Sequence, residues 1–181
     1  MNLANFISLA RLLSVPVMVW LILADELVLA FWLFAAAGVS DAVDGFVAKR
    51  FHARTVIGSY LDPLADKALL MSVYITLGHQ GQLAVWLVIL VVSRDVLIIG
   101  GALLALMLTQ SFKVAPLMVS KINTVAQVLL AALVLGRLAL GFDDRGLSDL
   151  LAYGVAATTL LSGGAYLVQW TQRAAGMEGT R

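Results

Sequence analysis

The chain has 181 residues, of which 61% are apolar and 13% are charged, whereas an ordinary soluble domain has about 45–50% apolar and about 25% charged residues. The mean hydropathy is +0.96. These values exclude a disordered chain and an ordinary cytosolic enzyme, and the net charge of +1 excludes a nucleic-acid-binding protein. The absence of cysteine excludes disulfides, zinc–thiolate sites and thiol nucleophiles. The composition therefore predicts a protein that lies in a lipid bilayer.

Six apolar stretches predict six helices, each close to the ~20 residues that cross a bilayer. They cover residues 5–24, 27–49, 58–77, 83–108, 116–140 and 147–170. We expect an all-α integral membrane protein in which residues 1–181 form one transmembrane domain without a cleaved signal peptide. We also expect the polar tail after Trp170 to be frayed.

Lysine and arginine residues predict the orientation of these helices, because cytoplasmic loops are enriched in both. They follow the even-numbered helices, at Lys49, Arg50, Arg54, Lys113, Arg173 and Arg181. The opposite loops are acidic or uncharged apart from Arg145, and Arg137 near that end is a mild exception. With six spans, the basic loops and both termini share one side, which we predict to be the cytoplasmic face of the cytoplasmic (inner) membrane.

Four aspartates stand out in this apolar chain. Asp41 and Asp44 lie near the end of the second helix, and Asp62 and Asp66 lie near the start of the third. Spacings of three and four residues place each pair on one helical face. Because a short basic loop joins the two helices, we expect them to be antiparallel neighbours whose four carboxylates converge on the cytoplasmic side.

The charge of these acids must be compensated, since four carboxylates would repel one another strongly in a low dielectric. Two divalent cations would cancel the charge, and oxygen ligands favour magnesium, manganese or calcium over zinc. A two-metal site serves in-line displacement at phosphorus. A proton or cation path in a transporter, or structural salt bridges, are the alternatives. The nearby cations Lys67, Arg94 and Lys121 are too few to pair the four acids and Asp95 as well, which favours metals.

The residues around the aspartates indicate a phosphate-bearing ligand. Gly45 and Ala48 leave room beside the acids, either for a ligand or for a closely packed helix. The basic loop Lys49–Arg54 carries charge that suits phosphate oxygens, although the positive-inside rule also explains basic residues there. Gly58 either allows close approach of the ligand or begins the third helix.

Together these positions resemble the signature of the CDP-alcohol phosphotransferase family. The matching pattern is Asp41-x2-Asp44-Gly45-x2-Ala48-Lys49-x8-Gly58-x3-Asp62-x3-Asp66. It departs from the family at Lys49, where the family usually has arginine, so the planar two-pronged contact with phosphate is lost. Near the N-terminus, Asn5-x2-Ser8-x2-Arg11 is similar to the family's Asn-x2-Thr-x2-Arg.

The resemblance implies six transmembrane helices, a homodimer and a cytoplasm-facing site for a CDP-linked lipid and two divalent cations, Mg²⁺ or Mn²⁺. It implies that the metal ligands are Asp41, Asp44, Asp62 and Asp66. Asp66 would also be the general base for the acceptor hydroxyl, which displaces CMP. Lys49 and Thr55 would contact the diphosphate, and further contacts with the CDP-lipid would come from Asn5, Ser8, Gly45 and Gly58.

Motifs in the fourth and fifth helices resemble the cardiolipin synthase branch of this family. They are Val92-Ser93-Arg94-Asp95-Val96 and the stretch Ser120–Gln127. This implies phosphatidyl transfer from CDP-diacylglycerol to phosphatidylglycerol. The charges of Arg94 and Lys121 suit binding of the acceptor phosphate, whichever acceptor is used. The alternative is phosphatidylglycerophosphate synthesis with glycerol 3-phosphate as acceptor. Arg94 also fits a structural ion pair, and Lys121 also fits snorkelling to the membrane interface.

Overall fold

The computed structural model describes the backbone of residues 3–51, 56–109 and 118–178 and the side chains of residues 9–40, 64–101 and 118–171. These residues form six helices: α1 (Leu3–Leu23), α2 (Leu27–Phe51), α3 (Val56–His79), α4 (Val85–Thr109), α5 (Met118–Leu140) and α6 (Leu147–Glu178). The prediction of an all-helical chain with six helices is confirmed.

The end of α6 differs from the prediction. The helix continues beyond Trp170 to Glu178, so the expectation of a frayed tail is wrong for this segment. The added turns include Gln172, Arg173 and two alanines, which are residues with high helix propensity. Polarity alone therefore did not mark the end of this helix.

The first three helices alternate in direction. Arg11 in the first half of α1 pairs with Asp66 of α3, and the Ile22 carbonyl near the end of α1 accepts a hydrogen bond of 2.5 Å from the Gln80 amide just after α3. Helices α1 and α3 are therefore parallel. A tight turn at Asp25, where φ is 61°, reverses the chain between α1 and α2. Helix α2 is therefore antiparallel to both α1 and α3.

The packing of α2 and α3 differs in part from the prediction. Both helices pack against α1 and α5, and α3 also packs against α4. Within the part of the chain that the structure describes, α2 and α3 make no close backbone contact with each other. They are antiparallel as predicted, but they are not direct neighbours there, because their facing sides contact α1 and α5 instead.

The interior of the bundle is a continuous apolar cluster. All six helices contribute to it, including the buried residues Met18, Ala30, Tyr74, Leu87, Leu130 and Val155. Large apolar side chains such as Trp20, Ile89 and Leu161 are exposed on the outside, as expected for a surface in contact with lipid. Among the described residues, Met118–Leu140 and Leu147–Thr171 are long and apolar enough to cross a membrane, and shorter apolar segments lie at Leu9–Leu23 and Leu27–Ser40.

Candidate active site

Asp66 lies in the first half of α3 and is paired with a cation from a neighbouring helix. The Arg11 guanidinium of α1 donates to an Asp66 carboxylate oxygen. The Arg11 side chain is only 5% exposed, whereas that of Asp66 is 38% exposed. A charged group inside a bundle needs an opposite charge nearby, so each side chain stabilises the other. Arg11 belongs to the N-terminal motif of the sequence, but it was not among the cations predicted to lie near the aspartates.

A second ionic cluster joins four helices close to Asp66. The Asp95 carboxylate of α4 is 1% exposed and accepts hydrogen bonds from the Lys67 ammonium of α3 at 2.7 Å and from the adjacent Arg94 guanidinium at 2.5 Å. Arg94 also donates to the Ser120 hydroxyl of α5 at 2.6 Å and to the Ser162 hydroxyl of α6. Asp95 therefore fixes the position of both cations.

The side chains of Arg11, Asp66 and Lys67 line one cavity of about 270 Å³. The other walls come from α2, α3 and α5 and are mainly apolar: Phe34, Ala37, Gly38, Leu69, Leu70, Thr124 and Val128. A smaller cavity of about 170 Å³ lies between α1 and α2 and is also lined by Arg11, together with Ser14 and Ser40. The carboxylate of Asp66 therefore opens onto space bounded by apolar walls and flanked by two cations.

Asn123 and Gln127 of α5 are polar residues that lie fully buried inside the bundle. The side-chain oxygen of Asn123 accepts hydrogen bonds from the hydroxyls of Thr158 and Thr159 of α6, at 2.8 and 2.9 Å. The Tyr74 hydroxyl of α3 donates to the backbone carbonyl of Gln127 at 3.0 Å. These bonds link α5 to α3 and α6, which explains part of the polar stretch Ser120–Gln127 by packing alone.

The two predicted acceptor-binding residues occupy different environments. Arg94 is buried, and its guanidinium donates hydrogen bonds to Asp95 and to two serine hydroxyls. Its side chain also lines a groove of about 180 Å³ between α4 and α6. Lys121 is exposed on α5. Arg94 therefore forms the structural ion pair that was predicted as its alternative role.

The other predicted site residues fall outside the described side chains. By backbone position, Asn5 and Ser8 lie on α1, Asp41, Asp44, Gly45 and Lys49 lie on α2, and Gly58 and Asp62 lie on α3. Their side chains, and all of Thr55, lie outside the described residues. Among the side chains that are described, there is no group of three or more metal-ligating residues. The four-aspartate metal site therefore stays a prediction.

Known proteins with similar sequences point to one family. The family model described as CDP-alcohol phosphatidyltransferase matches residues 1–167. A protein of Oryza sativa subsp. japonica, CDP-diacylglycerol–glycerol-3-phosphate 3-phosphatidyltransferase 1, chloroplastic, is 36% identical over 95% of this chain and 58% of its own. The Homo sapiens cardiolipin synthase (CMP-forming) is 30% identical over 90% of this chain and 59% of its own.

A bacterial relative matches over nearly its whole length. The CDP-diacylglycerol–glycerol-3-phosphate 3-phosphatidyltransferase of Bacillus subtilis (strain 168) is 32% identical over 91% of this chain and 93% of its own. By contrast, the chain spans less than two thirds of the rice and human relatives. Relatives with both enzyme names are therefore similar to this chain.

Proposed function

Because the chain belongs to the CDP-alcohol phosphatidyltransferase family, we propose that it transfers a phosphatidyl group from CDP-diacylglycerol to phosphatidylglycerol, giving cardiolipin and CMP. The observation that carries the choice of acceptor is the cavity at Asp66, whose mainly apolar walls suit a lipid better than a small polar alcohol. The motifs around Arg94 and in Ser120–Gln127 support the same acceptor.

The second candidate is phosphatidylglycerophosphate synthesis with glycerol 3-phosphate as the acceptor. It is favoured by the name of the Bacillus relative, which this chain covers over 93% of its length. Both candidates use the same donor and the same aspartates, so they differ only in what occupies the acceptor side of the cavity.

The family is membrane-bound, and we propose that residues 1–181 form one domain whose six helices all cross the cytoplasmic membrane. This arrangement is supported by the alternating directions of the first three helices, by exposed apolar side chains and by the basic loops after even-numbered helices. The site would then face the cytoplasm. We further propose a homodimer, as the family resemblance implies.

Members of the family use divalent metals, and we propose that Asp41, Asp44, Asp62 and Asp66 hold two Mg²⁺ or Mn²⁺ ions. The described part of the site fits such ions, because the Asp66 carboxylate is a hard oxygen donor that is 38% exposed and lines the cavity. When bound, the two cations would stabilise the attacking and leaving oxygens of an in-line displacement.

In the proposed reaction, a carboxylate oxygen of Asp66 accepts the proton of the acceptor hydroxyl. The hydroxyl oxygen then bonds to the β-phosphorus of CDP-diacylglycerol while the bond from that phosphorus to the CMP oxygen breaks. Arg11 orients the Asp66 carboxylate by its hydrogen bond. Lys49 and Thr55 would contact the diphosphate, and the CDP-lipid would be bordered by Asn5, Ser8, Gly45 and Gly58. Lys121 would serve the acceptor directly, whereas Arg94 would support the acceptor side through its ion pair with Asp95.

The deciding experiment places purified protein in liposomes with CDP-diacylglycerol and either Mg²⁺ or Mn²⁺. Phosphatidylglycerol and glycerol 3-phosphate are offered separately, CMP release is followed, and the lipid product is identified by mass. We expect cardiolipin from phosphatidylglycerol and no product from glycerol 3-phosphate. Phosphatidylglycerophosphate from the second acceptor alone would overturn the acceptor, and no CMP release with either would overturn the enzyme class.

Asp66→Asn tests the general base. The amide keeps a hydrogen-bond acceptor for Arg11 but cannot take a proton, so we expect turnover to fall by about 100-fold or more. The melting temperature in detergent should also fall, because the buried Arg11 loses a charge partner, so turnover is compared at a temperature at which both proteins stay folded. The control is Asp149→Asn, which replaces an exposed acid in the first turn of α6. More than a few per cent of wild-type turnover in Asp66→Asn would show that Asp66 is not the base.

A further inference from the structure

Lys67 is a cation of the cavity that the proposed mechanism does not use. Lys67 is the residue after Asp66 on α3. Its side chain is 23% exposed and lines the 270 Å³ cavity. Within the described residues, its ammonium group donates one hydrogen bond, to Asp95 at 2.7 Å. An ammonium group has three donors, so two remain for a ligand.

The neighbouring cations are committed to protein partners. Arg11 is 5% exposed and pairs with Asp66. Arg94 is also 5% exposed and donates to Asp95 and to two serine hydroxyls. Lys67 is therefore the cation that combines exposure to the cavity with spare donors among the described residues.

The charge of the cluster defines the anion that would suit it. Lys67 and Arg94 share the single negative charge of Asp95, which leaves the group of three with a net charge of about +1. One phosphodiester group carries one negative charge, whereas a diphosphate carries about two. The apolar walls formed by residues such as Phe34, Leu69 and Val128 indicate that the anion is attached to hydrocarbon.

We propose that Lys67 binds the phosphodiester group of the acceptor phospholipid in this cavity, and that Asp95 is the positioning residue that holds its ammonium group in place. The proposal rests on the proposed function for the identity of the lipid as a substrate. A charge-assisted hydrogen bond of this kind orients the acceptor so that its free hydroxyl lies near the Asp66 carboxylate, one residue away along α3.

The test measures kcat and KM separately for both lipid substrates in mixed micelles. Lys67→Met removes the ammonium group and keeps much of the aliphatic stem, so we expect KM for phosphatidylglycerol to rise about 10-fold to 100-fold. KM for CDP-diacylglycerol should stay within twofold of wild type. Lys67→Arg keeps the positive charge, so its KM for phosphatidylglycerol should stay much closer to that of the wild type. Asp95→Asn should raise the same KM by a smaller factor than Lys67→Met, since the Lys67 ammonium group is then less firmly held.

A matched control removes a paired cation at the other end of the bundle. Arg137 of α5 lies 3.7 Å from Asp144 and is hydrogen-bonded to Gln82 and Ser148. Arg137→Met should lower the melting temperature without changing either KM. If Lys67→Met behaves in the same way, or if its KM effect falls equally or mainly on CDP-diacylglycerol, the proposal is overturned.

A binding measurement separates this proposal from the proposed function. The melting temperature of metal-loaded protein in detergent is recorded with dioctanoyl phosphatidylglycerol and with dioctanoylglycerol, which has the same chains and no phosphate. Phosphatidylglycerol should stabilise the wild type more, and Lys67→Met should lose that difference. Persistence of the difference in Lys67→Met would overturn the Lys67 site. A difference that depends on Lys67, in a protein that releases no CMP, would uphold the site and overturn only the proposed function.

Discussion

Charges in the described part of the bundle are compensated by oppositely charged side chains, on neighbouring helices or, for Arg94 and Asp95, on the same helix. Arg11 is matched by Asp66, and Asp95 is matched by both Lys67 and Arg94. Removing one member of such a pair leaves the other as an uncompensated charge, which costs several kcal/mol in a low-dielectric interior. Conservative replacements that keep a hydrogen bond are therefore the informative ones at these positions.

Two amide side chains on α5 differ in how well they are satisfied. Asn123 and Gln127 are both fully buried and lie one helical turn apart. The Asn123 oxygen accepts two hydroxyl hydrogen bonds, and the Asn123 side-chain nitrogen has no partner among the described residues. Among the described residues, neither the oxygen nor the nitrogen of the Gln127 side-chain amide has a hydrogen-bond partner. A buried polar group without partners is unfavourable, whereas a satisfied one contributes to stability.

We predict opposite effects for substitutions at these two positions. Asn123→Leu removes the acceptor of two threonine hydroxyls and should destabilise the protein by about 1–2 kcal/mol. Gln127→Met keeps the volume and removes an unsatisfied amide, so stability should stay equal or rise. Thermal unfolding in detergent measures both effects, and a Gln127→Met variant less stable than Asn123→Leu would contradict the prediction.

At the scale of single helices, Gly101 sets the contact between α4 and α6. A methyl group added at this glycine would overlap the ring of Trp170, whereas one added at Gly100 would meet nothing within 4 Å. Trp170 also makes an edge-to-face contact with Tyr166, with ring centroids 6.5 Å apart. Of these two adjacent glycines, Gly101 is therefore the one that permits close packing of α4 against α6.

The matched pair Gly100→Ala and Gly101→Ala tests this contact. Gly100→Ala should leave stability unchanged or raise it by up to about 1 kcal/mol, because alanine favours a helix. Gly101→Ala should lower stability by about 1–3 kcal/mol, because the Trp170 ring must move. Adding Trp170→Ala to Gly101→Ala should remove the clash, so that Gly101→Ala costs less in the Trp170→Ala background than in the wild type. Equal melting temperatures for the two single variants would show that Trp170 yields freely.

The start of α6 depends on one aspartate in the preceding loop. The Asp144 carboxylate accepts a hydrogen bond of 2.9 Å from the Ser148 backbone N–H. Hydrogen bonds from the Ser148 hydroxyl and N–H, with Arg137 nearby, hold the pKa of Asp144 below its ordinary value. Asp144 therefore caps the helix best when it is ionised.

This capping predicts a pH dependence of stability. Because the folded-state pKa is lowered, the contribution of Asp144 is fully present above the unfolded pKa of about 3.9 and is lost as pH falls through the folded pKa. The melting temperature of Asp144→Asn should therefore lie below that of the wild type at pH 7, and the gap should narrow below about pH 4. A gap that is constant from pH 7 to pH 3 would show that the charge of Asp144 does not matter.

At the scale of the whole molecule, hydropathy was enough to predict six helices but not which helices are neighbours. Apolar runs mark helices because each helix satisfies its own backbone hydrogen bonds. Which helices touch depends on side-chain packing, so the position of α1 and α5 against both α2 and α3 was not visible in the pattern.

For the candidate site, the sequence was enough to single out Asp66 but not to predict which side chains it contacts. Asp66 stood out because an acid in an apolar chain needs a partner, and the structure places it on a cavity wall. Its pairing with Arg11 was missed because the two residues are far apart in sequence and come together only when α1 packs parallel to α3. The pair between Lys67 and Asp95 has the same origin, since Lys67 lies on α3 and Asp95 on α4.

The orientation of the whole chain can be tested without disturbing the site. The sequence contains no cysteine, so each introduced cysteine reports one position. Glu26 and Asp143 lie in loops on the side that we predict to be external. Lys113 stands between the predicted fourth and fifth helices, on the side that we predict to be cytoplasmic. In spheroplasts, a membrane-impermeant maleimide should label Glu26→Cys and Asp143→Cys directly, whereas Lys113→Cys should react only after permeabilisation. Labelling of Lys113→Cys in intact spheroplasts would show that the orientation is the opposite of the predicted one. The Asp66 cavity would then lie near the outer face, away from a cytoplasmic supply of CDP-linked lipid.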